Sequence, residues 1–355
     1  MERQYLAALK QVTGLGIKTE KMIMQYFGSA QEAWQAPIDD WYDCGVKKNV
    51  CAEFVGLRDR LDIERMITEW EKKGIRLCIR GDEEYPALLS EIFDPPSLLY
   101  YRGTIPKSEL TVGIVGARRS TTYGRQAARK IASELAASGV VVVSGAARGI
   151  DTSSHLGALE NGKTIAVLGS GVDVVYPPEN AKLLADIAVS GAVIAEYPPG
   201  TQPRQGFFPA RNRIISGISA GLLVVEAAEK SGALITATCA MEEGRDVFAV
   251  PGSIFSPVSV GTNRLIQDGV KPITCGQDIL DEYQISTTKQ EVEKISLTKE
   301  EHMVHTALQY DYAMSTEEIA MRTNLDIGQI ALIVLQLMLR GLIKEDSAQR
   351  YIRIK

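Results

Sequence analysis

The chain has 355 residues, of which 45% are hydrophobic and 23% charged, and its net charge is −5. That length supports two or three domains with cores of their own, and the acid excess excludes a generally basic nucleic-acid binder, so any polyanion must be met by local charge. The five cysteines (44, 51, 78, 239 and 275) contain no C-x-x-C pair, which argues against a zinc site or a disulfide framework.

No signal peptide and no membrane-spanning apolar run is visible, so the expected compartment is the cytoplasm. Residues 1–80 read as a helical domain. Met22, Ile23, Tyr26 and Phe27 form one apolar stripe, and Trp34, Trp41, Phe54, Leu57, Leu61, Met66, Ile67 and Trp70 extend the pattern. Within it, Thr13–Ser29 resembles a helix–hairpin–helix element of the kind that offers backbone N–H groups to phosphate. With 13 Lys+Arg against 12 Asp+Glu, this segment has no charge for strong DNA affinity, and a structural role fits it equally well. Residues 81–110 form a connector with strand character near Leu98–Tyr101, where Pro86, Pro95 and Pro96 exclude a helix.

From 111 to about 275 the periodicity alternates. Strands are expected at 112–116, 140–144, 164–168, 192–195, 222–226 and 246–250, and helices at 124–138, 152–160, 179–189, 211–219, 233–243 and 262–268. This order predicts an α/β fold, a doubly wound parallel sheet whose ligand edge lies at the carboxyl ends of its strands.

Those strand ends can be read directly. The first gives Gly116, Arg118, Arg119 and Ser120, and the second Ser144–Gly145 with Arg148 close behind. The third gives Gly169–Ser170–Gly171, then Asp173 and Tyr176. The fourth leads into a long loop with Arg204, Phe207, Phe208, Arg211, Asn212 and Arg213. Glycine lets a backbone approach a ligand closely, arginine is a bidentate phosphate donor, and a helix N-terminus favours anions. Gly113, Gly116 and Gly124 do not fit G-x-G-x-x-G, Ser144 stands where an acidic ribose ligand would, and no G-x-x-x-x-G-K-[ST] occurs. Across 111–275 there are 15 Lys+Arg and 13 Asp+Glu, so the cations act by position. Arginines in a row with glycine turns and aromatics suit several phosphates in line, as in single-stranded nucleic acid.

A catalytic centre is not evident. His155 lies on a helix and reads as packing, Asp151 as an N-cap, and Asp173 and Glu179 as loop-ordering groups. Glu226 stands at a strand end with no partner in view. No metal-ligand cluster and no cofactor motif is present.

Residues 286–296 turn polar and read as a linker. Residues 297–355 look like a small winged-helix domain with helices at 298–309, 316–322 and 326–340 and a hairpin over 342–354. Its third helix, DIGQIALIVLQLMLRG, is almost wholly apolar, which suits protein contact better than DNA reading.

Five segments together carry a family resemblance: VGIVGARRSTTYG (112–124), VVSGAARGIDTSSHLGAL (142–159), TIAVLGSGVDVVYPPEN (164–180), FFPARNRIISG (207–217) and SGALITATCAMEEGRDVFAVPG (231–252). They resemble the bacterial DprA/Smf family, most strongly over about 80–285. The resemblance implies an extended Rossmann core over 81–285 that binds single-stranded DNA, flanked by an N-terminal helical (SAM or helix–hairpin–helix-like) domain over 1–80 and a winged-helix-like domain over 297–355. It further implies a homodimer, no catalysis, no cofactor, protection of incoming DNA, and loading of a RecA-type recombinase during natural transformation. By similarity, Arg118 is the main phosphate-binding arginine. Arg211 and Arg213 contribute from the ARNR run, Arg204 precedes it, and Gly116, Gly145, Gly169 and Ser170 supply backbone contacts. The rival is a Rossmann-type nucleotide phosphoribohydrolase. Those enzymes carry P-G-G-x-G-T-x-x-E, whereas here Ser253 follows Pro251–Gly252 and Leu265 stands at the glutamate position.

Overall fold

The computed structural model describes residues 1–285, 297–310, 312–347 and 349–354. The linker expected at 286–296 lies outside the described residues.

Six short helices fill the first seventy-odd residues: α1 (Glu2–Leu9), α2 (Ile17–Phe27), α3 (Ala30–Gln35), α4 (Ile38–Asp43), α5 (Lys48–Arg58) and α6 (Ile63–Lys72). Trp41, stacked on Phe54 at 3.8 Å between ring centroids, sits at their centre. The helical reading of 1–80 fails at its end. Gly74, at φ +71°, stops α6, and Ile75–Ile79 is a strand, β1, paired antiparallel with β2 (Leu98–Gly103). In the expected helix–hairpin–helix, Gly14 makes the left-handed turn before α2. The buried Glu20 on α2 is bonded to Lys10 at 2.7 Å and to Ser97.

The remaining sheet strands are β3 (Thr111–Val115), β4 (Val141–Ser144), β5 (Thr164–Leu168), β6 (Ala192–Ala195), β7 (Gly221–Val224), β8 (Asp246–Ala249) and β9 (Lys271–Pro272). Their order, with the first two strands included, is β1-β2-β6-β5-β4-β3-β7-β8-β9. Every pair from β6 to β9 is parallel, and β1 and β2 add an antiparallel edge. Both faces are apolar, as a parallel sheet buried on both sides requires. Val112 and Ile114 face one core cluster, and Val115 faces another.

On the first face lie α7 (Thr122–Ala137), α8 (Ile150–Asn161), α9 (Ala181–Ser190), α13 (Gly276–Glu282) and the N-terminal helices. On the second lie α10 (Phe207–Ile218), α11 (Gly232–Glu242) and α12 (Val260–Gln267). The chain therefore winds outward in both directions from β3 and β7, whose junction is the switch point of the sheet. The N-terminal helices share one continuous core with α9 and with Leu98 and Tyr100 of β2.

Beyond residue 297, α14 (Lys299–Ala307), α15 (Thr316–Thr323) and α16 (Ile327–Leu339) pack around their own cluster. A small antiparallel sheet of β10 (Met314–Ser315), β11 (Ile343–Ser347) and β12 (Arg350–Arg353), ordered β10-β12-β11, closes it. Among the described residues no helix is long and apolar enough to cross a membrane.

Candidate functional site

At the switch point a cleft of about 610 Å³ opens at the carboxyl edge. Its floor is the end of β3, Val115 and Gly116. One wall is α10, with Phe208, Arg211, Asn212 and Ile215, and the other is the start of α11, from Ser231 to Thr236. Arg118 and Arg204 line it from two loops. A smaller pocket of about 40 Å³ continues from Arg118 to Gly145, Arg148, Gly169, Ser170, Tyr176 and Phe208.

The close approaches explain the glycines. A methyl on Gly116 would meet Ile150 at 2.6 Å, and one on Gly145 would overlap the Arg211 guanidinium. At Gly169 it would press on the Phe208 ring at 3.0 Å. These glycines let the turns nest against one another, which is a packing role as much as a ligand role.

The arginines divide by what they already hold. Arg118 and Arg204 are exposed, and among the described residues neither makes an ion pair. Each guanidinium lies over an aromatic ring, Arg118 over Phe208 at 5.0 Å and Arg204 over Phe207 at 5.7 Å. Phe207 stacks on Tyr197 at 4.1 Å, and Phe208 leans on Tyr176 at 5.6 Å. The result is two cation-topped aromatic pairs beside one cleft. Arg119 is likewise exposed and free of ion pairs among the described residues, but it lines neither opening.

The other arginines are committed. Arg211 is 4% exposed and donates to the Gly145 carbonyl at 2.8 Å and to the Val167 carbonyl. It thereby ties α10 to the ends of β4 and β5. Burial brings its pKa down to about 10, the nearby Asp151 opposing the shift. Arg213, two residues on, points away from the cleft and forms a bidentate pair with Glu196 at 2.6 and 2.7 Å. Arg148 lines the small pocket with its charge matched by Glu179. Asn212 lines the cleft and accepts from Arg211 Nε at 3.2 Å. Ser170 is buried and donates weakly to the carbonyls of Gly171 and Val174 at 3.4 and 3.3 Å.

The first loop holds the main departure from the sequence reading. A free N-terminus of α7 is expected to attract an anion, but an internal carboxylate is already there. Glu226, 1% exposed at the end of β7, accepts from the Thr121 N–H at 2.9 Å and from the Thr121 hydroxyl. Thr121 in turn caps α7 by accepting from the Gly124 N–H at 3.0 Å. The partner that Glu226 lacks in sequence is thus the loop itself, and the dipole end of α7 is satisfied from within. Ser120 stands in that loop with a buried hydroxyl that has no partner among the described residues. The helix end that does face the cleft belongs to α11, at Ser231–Ala233. Its signal in the sequence is a hydroxyl cap, Ser231, ahead of the helix, like Thr121 ahead of α7.

The remaining polar residues are structural. His155 is fully buried. Its Nδ1 donates to Thr164 Oγ1 at 2.7 Å, since that hydroxyl gives its own proton to the Val142 carbonyl. Burial pushes its pKa down to about 3. Asp151 is not the N-cap of α8, whose cap position is Gly149 at φ +80°. Asp151 is instead the second residue of the helix, and its carboxylate, in the first turn, accepts from the Ala147 N–H at 3.2 Å. Burial raises its pKa against the pull of Arg211. Asp173 accepts from the Gly200 N–H at 2.7 Å and joins two edge loops.

The fold and this edge define a Rossmann-type protein with an elongated cationic and aromatic cleft at its switch point. The sequence profile of the family described as DNA recombination-mediator protein A matches residues 76–284. The chain belongs to that family. It is 49% identical to the DNA processing protein DprA of Streptococcus pneumoniae over 205 residues, 57% of this chain and 72% of that one. It is 41% identical to Protein Smf of Synechocystis over 286 residues, 79% and 72% of the respective lengths. Among solved structures, that of the Streptococcus pneumoniae DprA superposes with a TM-score of 0.68 at 40% identity, covering 79% of this chain and 97% of that one. A Helicobacter pylori DNA processing protein A, whose structure is described as showing a single-stranded DNA binding mode, gives 0.54 at 31% identity over 59% of this chain and 95% of its own.

Proposed function

We propose that the chain binds single-stranded DNA along the carboxyl edge of its sheet, without covalent chemistry, and hands the strand to a RecA-type recombinase during natural transformation. The observation that carries the binding is the pair of uncompensated arginines, Arg118 and Arg204, each set over an aromatic ring at the mouth of the switch-point cleft. Cations track the phosphates, and the rings offer faces to bases of any sequence. Gly116, Gly145, Gly169, Ser170 and Asn212 shape the walls, Phe208 stacks, Ser120 and Arg119 stand in the first loop outside both openings, and Arg148 lines the small pocket with its charge held by Glu179. Arg211 holds the cleft's shape, and Arg213 works behind α10. The relatives' names, DNA processing protein and recombination mediator, support the wider role. Homodimerisation and a winged-helix-like role for residues 297–354 belong to the same proposal.

The phosphoribohydrolase reading is not favoured. Leu265, at the position of the catalytic glutamate, packs against the core cluster under α10 and α11.

The test is titration of Arg118→Ala with fluorescent oligo-dT at 50 and 200 mM salt. One phosphate contact on a single strand contributes a slope of about 0.7, so the wild type should lose about 2.6-fold more affinity than the variant over that range. Equal slopes and equal affinity in a folded variant would remove Arg118 from the site.

A further inference from the structure

Beyond the cleft, the loop between β8 and α12 presents two large apolar side chains to solvent. Ile254 is 81% and Phe255 89% exposed. This is the stretch where the hydrolase pattern would place its glycine-rich loop, and the function derived so far makes no use of it.

The loop is held in place. The Asn263 side chain bridges both backbone groups of Gly252, accepting at 3.1 Å and donating at 3.0 Å. The Phe255 N–H donates to Ser253 Oγ at 3.2 Å. Ala227 anchors the far end, donating to the Val258 carbonyl at 2.7 Å and accepting from the Gly261 N–H at 2.8 Å. Tyr123, at the start of α7, donates its hydroxyl to the Pro251 carbonyl at 2.9 Å. A fixed loop that exposes an adjacent Ile–Phe pair forgoes the roughly 1.5–3 kcal/mol that burial of each would bring.

Position tells what the pair would meet. β8 is two places from β3 in the sheet, so its end lies on the same edge as the cleft, about 10 Å along at the usual strand spacing. Residues 227–231 stand between, and the α11 start that forms the cleft wall follows them. Lys230 and Arg119 are exposed, and the half-exposed Tyr123 ring is tied to this loop through its bond to the Pro251 carbonyl. The Phe207 and Phe208 pairs flank the cleft on its β5 and β6 side. The edge from β6 to β8 crosses five strand intervals, about 24 Å, which is roughly seven nucleotides at a 3.4 Å rise.

We propose that Ile254 and Phe255 form a second stacking platform for unpaired bases, placed where a single strand leaves the cleft across β7. The inference rests on the single-strand reading above and extends that site in length. The contact is to base faces, so it is tolerant of sequence and adds no phosphate.

The experiment compares dT4 with dT12 for the full-length wild type, Phe255→Ala and Phe255→Trp. Loss of one stacked base lowers affinity by about 5- to 150-fold. Phe255→Ala should therefore weaken dT12 by at least fivefold, leave dT4 within twofold, and leave the salt slope unchanged. Phe255→Trp should retain dT12 affinity, and its added indole emission should be quenched by dT12 and not by dT4. Equal dT12 affinity of the wild type and Phe255→Ala overturns the platform while leaving the cleft in place. A shift in oligomeric state of Phe255→Ala by light scattering, with dT12 affinity unchanged, reassigns the loop to contact between copies and also overturns it. Failure of the wild type to bind either oligonucleotide refutes the single-strand reading itself, and the platform with it.

Discussion

Gly124 is the position at which a single methyl group should do most harm to the cleft. A Cβ there would overlap the Glu226 carboxyl group, with one carboxylate oxygen only 2.7 Å away. To make room, Glu226 must give up its bonds to the Thr121 N–H and hydroxyl while remaining buried. Hydrogen bonds to a charged group are worth about 1.5–3 kcal/mol each, so losing both should destabilise the core by about 3–6 kcal/mol in Gly124→Ala. With Glu226→Ala already present the clash is gone, and the same methyl should stabilise α7 by about 0.5–1 kcal/mol, as alanine does against glycine in a helix. The predicted outcome is a change of sign across the double-mutant cycle, read by urea unfolding of the four proteins. Single-strand affinity should fall with Gly124→Ala, because Arg118 rides on the loop that Glu226 holds. A Gly124→Ala cost that is the same in both backgrounds, or absent in the wild type, would refute this account of Glu226.

Three further outcomes are expected. Arg213→Ala should cost about 3 kcal/mol by stranding the buried Glu196 carboxylate, yet leave the salt slope of oligo-dT binding unchanged; a lower slope would place Arg213 on the DNA. Glu179→Gln should free Arg148 at the small pocket and steepen that slope by about 0.7, and no change would show that Arg148 stays outside the strand's path. His155 takes up its proton only near pH 3 when folded but near 6.5 when unfolded. Stability should therefore fall as pH drops through this window, by up to about 1.4 kcal/mol per unit. His155→Gln should flatten that segment of the pH–stability curve, and an unaltered curve would assign the acid sensitivity to other groups.

The sheet was legible because its strands are short apolar runs buried on both faces, as at Val141–Val143 and Leu222–Val224. α10 starts four residues before the expected Arg211, since Phe207, Phe208 and Pro209 read as loop although proline suits a first helical turn. β1 escaped because Ile75–Ile79 follows an amphipathic helix, and Gly74 was its only punctuation. The site was harder to read. Arg211 and Arg213 are two residues apart on one helix and so face in different directions. Which one meets the cleft depends on the Gly145 and Val167 carbonyls and on Glu196, partners distant in sequence. Glu226 lies 105 residues from Thr121, and no local pattern reports that bond. What the strand ends did reveal was the edge itself, and with it Arg118, Arg204 and Phe208.

The shared core of the N-terminal helices has a bearing on the geometry of any larger complex. Because α1–α6 pack on α9 and β2, and β1 is itself an edge strand of the sheet, that face of the molecule is bolted to the cleft. Whatever docks on the helices is held at a set distance and angle from the cleft. The helical region therefore serves as a ruler, and a cut after residue 80 would remove a strand and uncover α9, so the core could not be studied in isolation as an unchanged object.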